Sequence, residues 1–349
     1  MRALLDDASS LLRLAVAITD AQLERMPALA VRYGARGRQH CIDDTVFHLT
    51  YLREAVTFGD ATLFEDYIAW AKVMLASRGV DADDLVANLE QMRTTLGLER
   101  DHDSAATAVA VVEHVLNKVE AMPDDAETFL GRPGALEETA RHYLDAIRIA
   151  KRHDADAVIQ EAVRGGASIS DLYLRVFEPV QNEIGRLWQM NRISVAQEHF
   201  CTAAVQRSMS QLYGQLFTGK PGRRRVVAAC AGGELHEIGL RMVTDLLEAD
   251  GWDTVYLGAN VPVDSIVSTV AAAPTGLVAI SATITPHLRE LTSLIASLRT
   301  NPATSHVPII VGGYPFRLSD AISKHLGVDG WAANATDAVR LANEITLTL

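Results

Sequence analysis

The sequence predicts two textures, an all-helical N-terminal half and a C-terminal α/β half, and three observations carry that expectation. Apolar residues recur at three-to-four spacing almost without interruption to about Phe217, the periodicity of amphipathic helices. A Gly- and Pro-bearing run, Thr218-Gly-Lys-Pro-Gly followed by three arginines, then breaks the pattern. Beyond it, five short apolar runs alternate with helical stretches, the arrangement of a parallel sheet with helices on both faces.

The clearest early helix has Asp60 as cap, an apolar stripe of Leu63, Phe64, Tyr67, Ile68, Ala71, Met74 and Leu75, and Gly79 as its end. Similar stripes run through Val46, Leu49, Leu52 and Val56, through Leu85, Leu89, Met92 and Leu96, and from Ala105 to Met122. A Pro-, Asp- and Gly-rich stretch from Met122 to Gly134 marks a boundary, after which there is room for four helices. The expected domains are therefore 1–133, all-helical; 134–218, a four-helix cap; and 222–349, a Rossmann-like domain. The five apolar runs begin near Arg225, Thr254, Gly276, Val307 and Asp329, and the order expected of them is 2-1-3-4-5, the flavodoxin-like doubly wound arrangement.

At 349 residues the chain exceeds any single small module. Lys and Arg total 32 against 44 Asp and Glu, a net charge of −12 that disfavours direct binding to nucleic acid or an anionic membrane. Asp6 and Asp7 interrupt any secretory apolar segment, and no run approaches the ~18 apolar residues of a membrane span. A cytoplasmic location is expected. The cysteines Cys41, Cys201 and Cys230 form no CxxC pair, so neither a disulfide framework nor a zinc ribbon is supported.

In this fold class ligands sit outside the carboxyl ends of the strands at the switch point, between the first and third strands. There the sequence places Glu234, His236 and Gly239 after strand one, Ser281 and Thr283 after strand three, and Gly312 and Gly313 after strand four. A neutral imidazole at His236 suits a transition metal, with Glu234 accepting from its other ring nitrogen. Alone, such a pair is usually solvated surface. Its spacing adds information: 41 residues (240–280) separate Gly239 from Ser281, and 28 (284–311) separate Thr283 from Gly312.

This pattern resembles the cobalamin-binding fingerprint Asp-x-His-x-x-Gly, Ser-x-Leu, Gly-Gly, with Glu234 in place of Asp and Thr283 in place of Leu. The resemblance implies that His236 is the lower axial ligand of cobalt. It also implies that Ser281 bonds the displaced nucleotide tail and that Gly312 and Gly313 let it approach the backbone. Upstream, Trp188, nine intervening residues and then Glu198-His199 resemble the motif that encloses the adenosyl group of adenosylcobalamin in CarH-type photoreceptors. Ser194-Val-Ala-Gln197 is a capping box that would fold this stretch into a hairpin. The run from Phe177 to Trp188 is also similar to that family, except that Gln189 stands where its light-state cobalt ligand, a histidine, would be.

No DNA-binding winged helix of those repressors is present in the N-terminal block, which resembles instead the helical region of photocobilins, photoreceptors that hold biliverdin beside cobalamin. That likeness makes Arg32, Arg36, Arg38, His40, Asp43, His48, Tyr51 and Arg53 candidates for a bilin's polar groups. Phe64, Tyr67 and Trp70 would be its walls and Cys41 a thioether site. The shortlist is Arg38, His40, Cys41, His48, Tyr67 and Trp70.

The resulting expectation is a light sensor, not an enzyme, binding adenosylcobalamin and biliverdin. It would signal through self-association as a homo-oligomer or through a separate downstream protein. The rival reading is a corrinoid protein carrying methyl groups in a methyltransferase system, which also sets a helical cap before a cobalamin domain. A third is a cobalamin-responsive regulator blind to light.

Overall fold

The computed structural model describes residues 4–99, 103–131, 133–216, 222 and 224–347. Most of the linker expected around 218–223 lies outside them. The chain divides into two compact units, Met1–Ala126 and Glu127–Leu349.

The first unit is helical. α1 (Ala8–Arg25) starts at Asp7, whose carboxylate accepts from the Ser10 amide at 2.9 Å. α2 (Pro27–Phe58) opens on a proline and breaks at Gly34, which adopts φ 63° and ψ −166°. α3 (Thr62–Ala76), α4 (Ala82–Leu98) and α5 (Asp103–Leu116) complete it. The N-cap position falls on Ala61, which makes no side-chain cap, one residue after the expected Asp60; the Asp60 carboxylate accepts from the Thr62 amide at 2.9 Å, and the helix stops at Ala76, three residues before Gly79. Leu63, Phe64, Tyr67, Ile68 and Ala71 are buried as the stripe requires, and so is Lys72, whose Nζ donates to the Met122 carbonyl at 2.7 Å and pairs with Asp124. On α2 the buried face is Ile42, Thr45, His48, Leu49, Leu52 and Ala55, rotated from the expected one; Val46 and Val56 lie at its margin.

In the second unit, α6 (Glu137–Arg148), α7 (Arg152–Arg164), α8 (Ile169–Leu172) running into α9 (Glu178–Gln189), and α10 (Val195–Leu216) build a four-helix cap. The join between α8 and α9, Tyr173–Phe177, is a π-helical turn. Pro179 lacks an N–H for the carbonyl four residues back, and its ring would collide with that carbonyl; the wider turn relieves both. Tyr143, Tyr173 and Phe177 fill the cap core, with the Tyr143 and Phe177 rings 5.4 Å apart.

The chain then alternates β1 (Arg225–Cys230), α11 (Ile238–Ala249), β2 (Asp253–Gly258), α12 (Val263–Ala271), β3 (Leu277–Ser281), α13 (Leu288–Thr300), β4 (Ile309–Gly312), α14 (Tyr314–Leu318), α15 (Asp320–Leu326), β5 (Gly330–Ala332) and α16 (Ala335–Leu347). All pairings are parallel in the order β2-β1-β3-β4-β5, as the sequence led one to expect. Cys230 pairs with Ser281, Ser281 with Gly312, and Gly312 with Ala332, so four strands end in one row. Among the described residues no helix is long and apolar enough to cross a membrane.

His48 in the first unit is 3% exposed, its Nδ1 is 2.9 Å from the Tyr67 hydroxyl, and burial pushes its pKa down to about 4. A histidine held neutral by the fold stabilises it fully above the unfolded value near 6.5 and loses that contribution as pH falls from there to about 4. Relative to His48→Asn, the wild type should lose about 3 kcal/mol across this window in denaturant titrations. Parallel losses in the two proteins would refute it.

Candidate functional site

The row of strand ends forms the floor of a cleft of about 650 Å³ in the second unit. Its roof comes from α9 and α10, and one wall from α11 and α16. The lining is mainly apolar with a few polar groups, the usual make-up of a small-molecule site.

The hairpin that makes the roof follows from local chemistry. α9 ends near Trp188, Asn191 takes the left-handed conformation at φ 55°, and Ser194 and Gln197 then cap α10 reciprocally. The Ser194 hydroxyl accepts from the Gln197 amide at 3.2 Å, and the Gln197 side chain accepts from the Ser194 amide at 3.0 Å. Trp188, Glu198 and His199 consequently all line the cleft. Glu198 accepts from Thr202 Oγ1 at 2.9 Å and is also bonded to His199 Nδ1. Gln189 is buried and does not line the cleft, so the position that departed from the photoreceptor pattern is a packing position here.

Below, the loop after β1 carries Glu234 and His236. Glu234 has no exposed surface. Its Oε1 accepts from the His236 amide at 2.8 Å and from His236 Nδ1 at 2.5 Å. Its Oε2 accepts from the Thr283 amide at 2.6 Å, the Ile284 amide at 3.3 Å and His287 Nδ1 at 2.9 Å. Burial opposes ionisation of Glu234, yet the bonds from His236 and His287 outweigh it and hold the carboxyl far below the usual range. The same bond from Glu234 raises the His236 pKa against the opposing effect of burial. With Nδ1 engaged, Nε2 of His236 is the nitrogen left for a ligand in the cleft, and the side chain is 60% exposed there.

His287, which sequence reasoning missed, sits on the short turn after β3, only four residues past Thr283 at the switch point. A polar residue so near that strand end was the available signal. Thr283 acts through its backbone amide, and its side chain shares the cleft lining. Ser281 lines the cleft with a hydroxyl that has no partner among the described residues, and Gly239 and Gly312 line it too. Gly313 has a reason of its own: at φ 126° a Cβ would lie 1.9 Å from the Ala282 carbonyl, so the fold demands glycine whatever binds.

The donor set fits a corrinoid. One imidazole faces the cleft, its tautomer set by a buried carboxylate, and beside it a Cβ at Gly239 would meet no atom within 4 Å, leaving open space along α11. Among the described residues no cluster of three or more His, Cys, Asp or Glu is arranged for a bare ion.

The residues expected to touch a bilin lie in the first unit, and several of them have partners there. Arg38 pairs with Asp20 at 2.8 and 2.9 Å, Arg32 with Asp81 and Asp84, and Arg53 with Glu54. His48 meets Tyr67, and Tyr67 stacks on Tyr51 at 3.7 Å with Trp70 beyond at 6.3 Å. His40 is exposed, while Cys41 is a half-buried free thiol whose pKa burial and then Asp44 push up.

Residues 224–340 match the family model described as B12 binding domain, and residues 139–213 match a second B12 binding domain model. Both ranges fall in the second unit. The dimethylamine corrinoid protein of Methanosarcina barkeri is 25% identical over 211 residues, 60% of this chain and 98% of its own length. Monomethylamine corrinoid protein 1 of Methanosarcina mazei is 28% identical over 192 residues, 53% of this chain and 87% of its own. The solved structure of the Methanosarcina barkeri monomethylamine corrinoid protein superposes with a TM-score of 0.54 at 26% identity, covering 60% of this chain and 100% of that one. The second unit is a helical cap on a Rossmann-like domain, and each of these two parts matches a B12 binding domain model.

These relatives correct the light-sensor expectation, since they are named as methylamine corrinoid proteins. The physical reason is that Trp188, Glu198 and His199 define a roof over the cleft, and a roof does not by itself specify the group beneath it.

Glu234→Gln would set an amide N–H₂ against either the His236 donors or the Thr283 and Ile284 amides. It should lower unfolding stability by about 2 kcal/mol in denaturant titrations. An unchanged midpoint would show that the carboxylate is not the acceptor described.

Proposed function

We propose that the chain is a corrinoid methyl carrier, a binding protein that presents a methylated corrinoid to methyltransferases rather than an enzyme in its own right. The observation that supports this most is the likeness to the dimethylamine corrinoid protein across 98% of that protein's length. When bound, the corrinoid supplies a cobalt centre able to accept a methyl group and pass it on.

The chain's own residues have separable tasks in this reading. His236 would hold the cobalt through Nε2, while Glu234 keeps the proton on Nδ1 and fixes the ring. Ser281, Gly239 and Gly312 line the space between the sheet and α11, where the nucleotide tail would lie. Trp188, Glu198 and His199 cover the opposite side and limit water. The implied partner is a methyltransferase in place of a downstream signalling protein, and the upper group is methyl in place of adenosyl. No bilin is required: His48, Tyr67 and Arg38 each have a partner within the first unit.

Protein purified in darkness should yield methylcobalamin, or its unmethylated form, on extraction and chromatography; 5′-deoxyadenosylcobalamin as the native cargo would overturn the assignment. Replacing His236 by Ala should remove the lower nitrogen and shift the visible spectrum of the cobalamin-loaded protein. A spectrum identical to wild type would remove His236 from that role.

A further inference from the structure

The roof and the floor of the cleft are connected through one helix. Along α10, Glu198, Thr202 and Gln206 are spaced four residues apart, so they form one stripe about 12 Å long, and all three line the cleft. The stripe begins at the Glu198–His199 pair and ends where Gln206 Nε2 donates to Glu237 Oε1 at 2.8 Å. Glu237 is the residue after His236 and the last before α11. Its other oxygen accepts from the Tyr256 hydroxyl at 3.0 Å and the Ala259 amide at 3.2 Å, which ties the loop to β2. Gly258 lies against this oxygen, where a Cβ would come within 3.2 Å.

Two carboxylates thus hold the loop from Gly232 to Glu237, alongside the bond from the Gly233 amide to Asn260 Oδ1 at 2.9 Å. Glu234 fastens it to the exit of β3, within the α/β part. Glu237 alone fastens it to the cap: among the described residues, Gln206–Glu237 is the one hydrogen bond between α10 and this loop. Further along the same seam, Arg241 donates to Ser210 at 2.8 Å and Tyr213 to Glu248 at 2.6 Å, but these hold the body of α11. Apolar Val205, Met209 and Leu212 pack in the core that also contains Ile238, Met242 and Leu246, so α10 and α11 share an apolar stripe beside a polar one.

We propose that α10 is a rigid rod coupling the two sides of the cleft, with Gln206–Glu237 as its joint. What occupies the space under Glu198 and His199 then biases the placement of His236, and engagement of His236 biases the roof by the same free energy, because such coupling is reciprocal. Glu237 and Gln206 are positioning residues in this scheme. It rests on corrinoid binding, not on methyl carriage.

Hydrogen exchange on the full chain, with and without methylcobalamin, tests it. In the wild type the corrinoid should slow exchange in both 194–206 and 232–240. Gln206→Leu keeps the shape but loses the donor, leaving Tyr256 and Ala259 on Glu237. It should keep the slowing in 232–240 while that in 194–206 falls roughly tenfold. Gln206→Lys, which restores a donor of similar reach, should recover it, and Ser210→Ala, one turn along the seam, should behave as wild type. Undiminished slowing of 194–206 in Gln206→Leu, or an equal loss in Ser210→Ala, overturns the joint. Slowing of neither segment in the wild type overturns it together with corrinoid binding itself.

Discussion

A carboxylate with no exposed surface, Glu234, holds the site together. An ionised group taken out of water is tolerated only when its lone pairs are filled, and here five donors converge on it: two backbone amides from the exit of β3, the amide of His236, and two imidazoles. The donors come from two separate segments, the turn after β1 and the turn after β3. The carboxylate therefore fixes the turn after β1 against the turn after β3 and, in the same act, decides which nitrogen of His236 carries a proton.

That arrangement needs the strands to end together. The in-register row of Cys230, Ser281, Gly312 and Ala332 is a consequence of parallel pairing in the 2-1-3-4-5 order, and it brings segments about 50 residues apart within hydrogen-bond reach. The cap depends on a different kind of constraint. A π-helical turn accommodates Pro179, and the Ser194–Gln197 box restarts the chain as α10, so that Trp188 and Glu198 line the same cleft. Both are local solutions to unsatisfied backbone groups, and together they set the shape of the roof.

Function was less legible than fold because the sequence marks walls better than contents. Trp188, Glu198 and His199 do line one cleft with His236, as their spacing suggested, but a roof does not specify what lies beneath it, and the methylamine corrinoid proteins among its relatives redirect the reading. In the first unit several residues offered for a bilin are of kinds that also find partners within the fold. Arg38 has Asp20 and His48 has Tyr67, pairings across 18 and 19 residues that no linear pattern reveals. The buried Lys72 escaped notice for the same cause, since its partners at Met122 and Asp124 are some fifty residues away in the chain.

By itself the sequence determined what short-range chemistry determines: the Ser194 cap, the parallel sheet and its order, and the residues at the strand ends, because capping, periodicity and strand-helix alternation act within a few residues or follow from chain connectivity. Only the tertiary structure decided that His287 shares Glu234 with His236, that Gln189 is buried away from the cleft, that Gly313 answers to the Ala282 carbonyl, and that Gln206 reaches Glu237. Those outcomes depend on which segments come to lie side by side across long separations, and a hydrogen bond leaves no mark in the order of residues when its two ends are set by packing.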